Sequence, residues 1–247
     1  MKIKEDVLAV LSDCTINDKV LKINSGQLDR KMYVEVNKIL ETMGGKWDRK
    51  FKGHVYPENP TDKLEQLLLS GEIEPPKKYG YFPTPLKLVV HLIELADLKN
   101  GMLVLEPSAG QGAIVNEVAK IVSKDNVDCF ELLPNNAEVL QKKGFKVECC
   151  DFLSVETKPL YDRVIQNPPF EKLADIAHVL HAFKCLKDGG KLVSVMSVGF
   201  TFRQDKKCVA FREFLKEHNG TWERNPDGIF KELRTMVNTV TVVIDKD

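Results

Sequence analysis

The stretch that decides the fold is Met102-Leu103-Val104-Leu105-Glu106-Pro107-Ser108-Ala109-Gly110-Gln111-Gly112, followed at once by the helix-spaced apolar residues of Ala113 to Val122. Met102 to Leu105 is a short apolar run that ends in a turn, the pattern of a strand buried on both faces. Gly110 and Gly112 let the backbone approach a ligand that a Cβ would block, and the helix start offers N–H groups with no partner inside the helix. In open α/β sheets, a strand that feeds a glycine-rich turn and then a helix is a site for nucleotide-like ligands. A plain strand-to-helix connection also satisfies a short Gly-x-Gly, so the surroundings carry the decision.

Downstream of Pro85 the same rhythm repeats. Strands are expected at Met102 to Leu105, Val127 to Phe130, Lys146 to Cys149, Arg163 to Gln166, Lys191 to Ser197 and Val237 to Ile244. Helices are expected at Leu86 to Ala96, Ala113 to Val122, Asn136 to Lys143, Lys172 to Leu186 and Lys206 to Glu217. This alternation specifies an α/β fold with a parallel sheet covered on both faces, whose ligands sit beyond the carboxyl ends of the strands. Three acids fall at three successive strand ends. Glu106 closes the first strand. Glu131, 25 positions later, closes the second, where a carboxylate can accept from both hydroxyls of a ribose. Asp151-Phe152 follows the third, able to accept from an adenine amino group and to cover its ring. Each alone also reads as a solvated strand-end residue. A nicotinamide dehydrogenase would use similar parts, but Val115 stands where its third glycine belongs. Glu106-Pro107 also suits a cationic sulfonium ligand bearing an amino group better than a pyrophosphate.

After the fourth strand comes Asn167-Pro168-Pro169-Phe170. Two prolines fix φ and remove two N–H donors, which holds the Asn167 amide and the Pro168 carbonyl as rigid acceptors. Such acceptors grip the hydrogens of an exocyclic amine and turn its lone pair outward without a strong base, while Phe170 offers a stacking face for a base taken out of its helix.

With these residues the chain resembles the amino-methyltransferase branch of the S-adenosylmethionine-dependent enzymes, whose signature is an Asn/Asp-Pro-Pro-Phe/Tyr tetrapeptide after strand four. Phe82-Pro83-Thr84-Pro85 resembles the family's cofactor-closing segment, and its place upstream of the glycine-rich turn matches the motif order of the gamma group of DNA adenine-N6 methyltransferases. The resemblance covers about residues 79 to 247. It implies a Rossmann-like methyltransferase fold: a mostly parallel seven-stranded sheet with an antiparallel last strand. It implies S-adenosyl-L-methionine as cofactor, with Glu106, Ser108, Ala109, Gly110 and Gly112 around its methionine part and Thr84 on the methionine carboxylate. Glu131 would then take the ribose, and Asp151 with Phe152 the adenine. Asn167, Pro168 and Phe170 would be catalytic, acting on adenine N6, in DNA ahead of RNA. The same tetrapeptide serves guanine-N2 enzymes of ribosomal RNA and enzymes that methylate a glutamine amide, and about 50 residues after Met196 leave little room for the large target-recognition domain of the DNA enzymes. A nucleic-acid-binding domain on an idle fold would have lost Asn167 or the glycines, and all are present.

Residues 1 to 75 read as a small α+β accessory module, and 79 to 247 as the main domain. Helix spacing fits Ile3 to Leu11 and Leu28 to Met43, a strand fits Val20 to Ile23, and Lys46 to Lys50 with Gly53 to Tyr56 reads as a hairpin. Asn59-Pro60-Thr61-Asp62 opens a helix that ends near Ser70-Gly71, and Glu72 to Lys78 reads as a linker. The hairpin sets Lys46, Arg49, Lys50 and Lys52 against Asp48, interleaved with Trp47 and Phe51. It is a candidate for phosphate contact and base stacking, with a solvated turn around a buried Trp47 as the plainer alternative. Arg203, Lys206, Lys207 and Arg212 against Asp205 form a second basic cluster, from which Arg203 and Lys207 are candidate contacts. Asn225 to Met236 reads as a substrate loop or as a plain connection inside the final antiparallel pair.

Over 247 residues, 36 Lys and Arg balance 36 Asp and Glu, so only local patches can attract nucleic acid. The opening MKIKEDVLAV lacks a signal peptide's long apolar run, and no stretch of 18 apolar residues occurs; the expectation is a cytoplasmic protein without membrane partners. The six cysteines lack zinc-site spacing and read as buried free thiols. His178 and His181 read as helix surface, and no metal is expected. The oligomeric state is not legible.

Overall fold

Along the central strands, consecutive residues bury toward opposite faces. Leu105, Val164 and Leu192 enter one apolar cluster, and Val104, Ile165 and Val193 enter another. The computed structural model, which describes residues 3–71, 83–230 and 237–247, builds from this alternation a sheet with helices on both sides. The first described segment contains α1 (Glu5–Ser12), β1 (Cys14–Asn17), β2 (Val20–Ile23), α2 (Arg30–Thr42), β3 (Lys46–Asp48), β4 (Gly53–Val55) and α3 (Thr61–Ser70). Then come α4 (Leu86–Ala96), β5 (Val104–Glu106), α5 (Ala113–Val122), β6 (Val127–Glu131), α6 (Pro134–Lys142), β7 (Lys146–Cys149) and β8 (Tyr161–Gln166). The chain closes with α7 (Ala174–Phe183), β9 (Leu186–Ser197), α8 (Lys206–Glu217), β10 (Thr221–Arg224) and β11 (Thr239–Asp245).

The large sheet has the order β10-β11-β9-β8-β5-β6-β7. β5 pairs in parallel with β6 and β8, β6 with β7 and β8 with β9, whereas β11 runs antiparallel to both its neighbours. This is the expected mostly parallel seven-stranded sheet with an antiparallel last strand. The order reverses between β5 and β8, where the connections depart in opposite directions and open a crevice at the carboxyl ends.

α4 and α5 cover one face through Leu88, Leu92, Ile114 and Val118, and each such burial contributes about 1.5–3 kcal/mol. α7 and α8 cover the other face through Ile176, Val179, Phe211 and Leu215. The N-terminal segment forms a separate antiparallel sheet, β1-β2-β4-β3, yet Leu64, Leu67 and Leu68 of α3 join the cluster beneath α7 and α8. Further ties cross this boundary: the Asn238 amide donates to the Ser70 carbonyl at 3.0 Å and the Arg203 guanidinium meets Glu65 at 3.2 Å.

β1 was not expected, and β10, the first member of the expected final antiparallel pair, was not located in the sequence. β1 has one strongly apolar residue, Ile16, and turns back at Asp18, whose positive φ of 53° is unusual for a side chain other than glycine. β10 is exposed at all four positions and so shows no buried alternation. The helix expected at Lys172 to Leu186 is shorter: a 3-10 turn, Glu171–Leu173, precedes it, and Lys172 and Leu173 both take left-handed φ angles of 54° and 60°. Cys14, Cys149 and Cys150 are not buried; β7 is an edge strand, and Cys149 is exposed there. The linker expected at Glu72 to Lys78 lies outside the described residues, as do Phe82 and the part of the expected loop from Lys231 to Met236. Among the described residues no helix is long and apolar enough to cross a membrane.

Candidate active site

The turn after β5 leads directly into α5. Gly112 caps α5 with φ 92°, and a Cβ there would meet the Leu140 side chain at 2.9 Å, so no other residue fits without strain. The Gly110 N–H donates to Glu131 at 2.7 Å, which ties the turn to the end of β6.

Around this turn lies a cleft of about 450 Å³, lined among others by Thr84, Glu106, Ser108, Ala109, Glu131, Asp151, Phe152, Asn167, Pro168 and Phe170. Residues named from three strand ends, one tetrapeptide and one segment before α4 therefore share a single cavity. Gly110 and Gly112, expected at the cofactor, are not among its lining residues; Gly110 reaches it only through its hydrogen bond to Glu131. Leu132, Leu133 and His178 line it as well and were missed in the sequence, and Phe230 lines it from the segment read as a substrate loop or a plain connection. Leu132, at 64% exposure, is a bare apolar side chain directly after Glu131, and that adjacency was the available signal.

The two acids behind the turn differ. Glu106 is 3% exposed, and its Oε2 has no hydrogen-bond partner. Burial pushes its carboxyl well above the usual carboxylate range, and the charge of Glu131 adds to this, against the lowering hydrogen bond from the Val115 N–H. A buried carboxylate oxygen without a donor is costly unless a cation or donor meets it. Glu131 is better supplied: besides Gly110, the Leu133 N–H donates to it at 2.8 Å and the Asn136 amide at 3.4 Å. It therefore fastens the turn and keeps less acceptor capacity for a ribose than the sequence reading assumed.

Asp151 accepts from the Leu153 N–H at 3.0 Å and stays exposed at the rim. Phe152 is only 3% exposed, held between Phe130 at 5.3 Å and an edge-on His181 at 4.9 Å. His178 is not helix surface. It is buried against the cleft with Nδ1 3.3 Å from the Ser108 hydroxyl, and burial pulls its pKa down to about 4, so it is neutral. His181 bonds the Val155 carbonyl at 2.9 Å.

At the end of β8, the Asn167 amide nitrogen donates to the Thr84 hydroxyl at 3.0 Å, and its Oδ1 is buried without a partner. The loop beyond is anchored by Asp175, which accepts from the Ser197 N–H at 2.9 Å. Burial raises the Asp175 carboxyl to about 7 in spite of these hydrogen bonds.

The two basic clusters part company. Lys46, Arg49, Lys50 and Lys52 are exposed, as are Trp47 at 48% and Phe51 at 45%, so the alternative of a buried Trp47 is overturned. Arg203 is instead buried, with Glu65 at 3.2 Å and Asp205 at 3.0 Å. Its donors are spent inside the protein, which corrects its reading as a nucleic-acid contact. Arg212 likewise donates to the Arg203 carbonyl, while Lys207 is exposed.

The sheet order and the cleft at its reversal define a Rossmann-like methyltransferase fold. Solved structures share it. The methyltransferase subunit of a type I restriction-modification system from Streptococcus thermophilus is 20% identical with a TM-score of 0.60, over 75% of this chain and 48% of that one. The M protein of the type I restriction enzyme EcoKI is 18% identical with a TM-score of 0.57, over 97% of this chain and 56% of that one. The 23S rRNA methyltransferase ErmE is 19% identical with a TM-score of 0.52, over 68% and 70%. The chain thus spans about half the length of the two restriction-system subunits. No family model and no curated protein matches the sequence.

Proposed function

We propose that the protein is an S-adenosyl-L-methionine-dependent methyltransferase acting on the exocyclic amine of a nucleic-acid base, adenine N6 in DNA foremost. One observation carries the reading: Glu106 and Asn167 line the same cleft, and each carries a buried side-chain oxygen without a hydrogen-bond partner, the first suited to a cationic amine and the second to a neutral one. Glu106 with Ser108, Ala109 and Gly110 would hold the methionine part, Glu131 the ribose, and Asp151, Phe152 and Leu132 the adenine. Bound there, S-adenosyl-L-methionine supplies an electrophilic methyl group. Asn167 and the Pro168 carbonyl accept the hydrogens of the target amine and direct its lone pair toward that group. Phe170 stacks on the base, and the proline-fixed backbone spares the reorganisation that flexible acceptors would need. The structural neighbours, two restriction-system subunits and one rRNA methyltransferase, support a nucleic-acid acceptor.

The test is transfer of labelled methyl groups to adenine-containing DNA, adenine-free DNA and RNA, with nucleoside mass spectrometry of the products. N6-methyladenine in DNA is the expected product. Equal label in adenine-free strands overturns the adenine reading, label confined to RNA overturns DNA, and binding of NAD but not S-adenosyl-L-methionine overturns the cofactor.

A further inference from the structure

Thr84 stands between Pro83 and Pro85, and Asn167 directly precedes Pro168. A residue before proline is confined to extended backbone, so both side chains hang from stiffened chain. They meet across 83 positions of sequence: the Asn167 Nδ2 donates to the Thr84 Oγ1 at 3.0 Å, and Thr84 is itself 8% exposed. An amide carries its donor and acceptor on opposite branches of one plane. Engaging the nitrogen therefore selects the rotamer in which Oδ1, buried and without a partner, is the end left for the cleft. The opposite rotamer would present N–H groups to an amine, donor against donor.

We propose that Thr84 is a positioning residue for Asn167, acting through the hydrogen bond that fixes which end of the amide faces the acceptor, in addition to any contact with the cofactor. The inference rests on the methyltransferase reading. It makes the segment before α4 part of the acceptor half of the site.

Thr84→Val keeps the side-chain shape and removes the hydroxyl, and Thr84→Ser keeps the hydroxyl. At saturating cofactor, Thr84→Val is expected to slow single-turnover methyl transfer about tenfold, the weight of one neutral hydrogen bond, whatever its cofactor Kd, with nucleic-acid KM within about twofold of wild type and Thr84→Ser near the wild-type rate. A second readout needs no activity: the Asn167 side-chain amide protons, assigned by their loss in Asn167→Asp, should resist exchange in wild type and Thr84→Ser and lose protection in Thr84→Val. A wild-type rate in Thr84→Val, a loss recovered entirely by added cofactor, or unprotected amide protons in the wild type would overturn the positioning role. If no nucleic acid is methylated by the wild type, the methyltransferase reading fails, and the exchange data alone decide the Thr84–Asn167 contact.

Discussion

At the end of β5 the cleft is bordered by Glu106, a buried carboxylate with an unpartnered oxygen, and behind it Glu131 is held by three donors. One strand away, at the end of β8, it is bordered by Asn167, Pro168 and Phe170, which carry no charge, and then by the acidic Glu171. The first half is an electrostatic trap that is incomplete without a cation. On the proposed function the second is a neutral grip, in which the Asn167 amide nitrogen is engaged by Thr84 and the backbone is fixed by proline. A charged group near Asn167 would hold an amine's hydrogens more tightly but would also bias its protonation, whereas a neutral amide leaves the lone pair available. On the proposed function, the difference separates binding from activation along one sheet edge, so each half should fail in its own observable.

The largest effect is expected at the neutral half. Asn167→Ala should leave cofactor affinity nearly intact while methyl transfer falls at least about a hundredfold, because the lost interaction is made mainly in the transition state. Phe170→Ala should add a rise in the nucleic-acid KM, since a stacking face worth about 1–3 kcal/mol per base is lost. Single-turnover kinetics with labelled cofactor separates the two, and an Asn167→Ala protein with the wild-type rate would break the division between halves.

Glu106→Gln should do the reverse, weakening cofactor binding by about tenfold or more as a charge-assisted hydrogen bond is replaced by a neutral one. A cationic ligand binds the ionised carboxyl, which burial makes hard to ionise in the free protein. Binding therefore releases a proton, and affinity rises with pH from the usual carboxylate range up to the raised value, then levels. Glu106→Gln removes this slope, which titration calorimetry across pH reads directly. Stability of the free protein runs the opposite way. With its folded pKa above the unfolded one, Glu106 contributes most at low pH, and the contribution is lost as pH rises through the folded value. Asp175, raised to about 7, adds a slope of the same sign that the Gln variant retains.

How much of this was legible follows from range. α4, α5 and α8 occupy the expected residues because their apolar spacing is local, and the strand-end acids and the tetrapeptide fall along one cleft because a doubly wound sheet gathers its carboxyl ends. What was missed depends on distant partners. The Thr84 hydroxyl meets Asn167 only in the folded chain, and His178 reads as surface until α7 turns it toward Ser108. Arg203 counts as a free cation until Glu65, 138 positions away, neutralises it.

The smallest expected effect concerns what the neutral half lacks. If Asn167, Pro168 and Phe170 hold a base as proposed, they carry no charge to attract a polyanion, and the affinity for nucleic acid would come from elsewhere on the surface. The hairpin of β3 and β4 offers Arg49, Lys50 and Lys52, all exposed, beside the exposed rings of Trp47 and Phe51. Replacing the three cations with Ala should weaken nucleic-acid binding about tenfold at low salt and reduce the salt slope by up to about 2.7, because each phosphate contact releases close to one counterion. Cofactor affinity and the single-turnover rate at saturating substrate should not move. Arg203→Ala is the counterpart: it should leave the salt slope unchanged and lower the melting temperature, because Glu65 and Asp205 lose the guanidinium that neutralises them. Fluorescence anisotropy across a salt series, run beside thermal unfolding, measures both. A triple variant with the wild-type slope would leave the hairpin a structural element, and an Arg203→Ala protein with a reduced slope would return that cluster to the nucleic-acid surface.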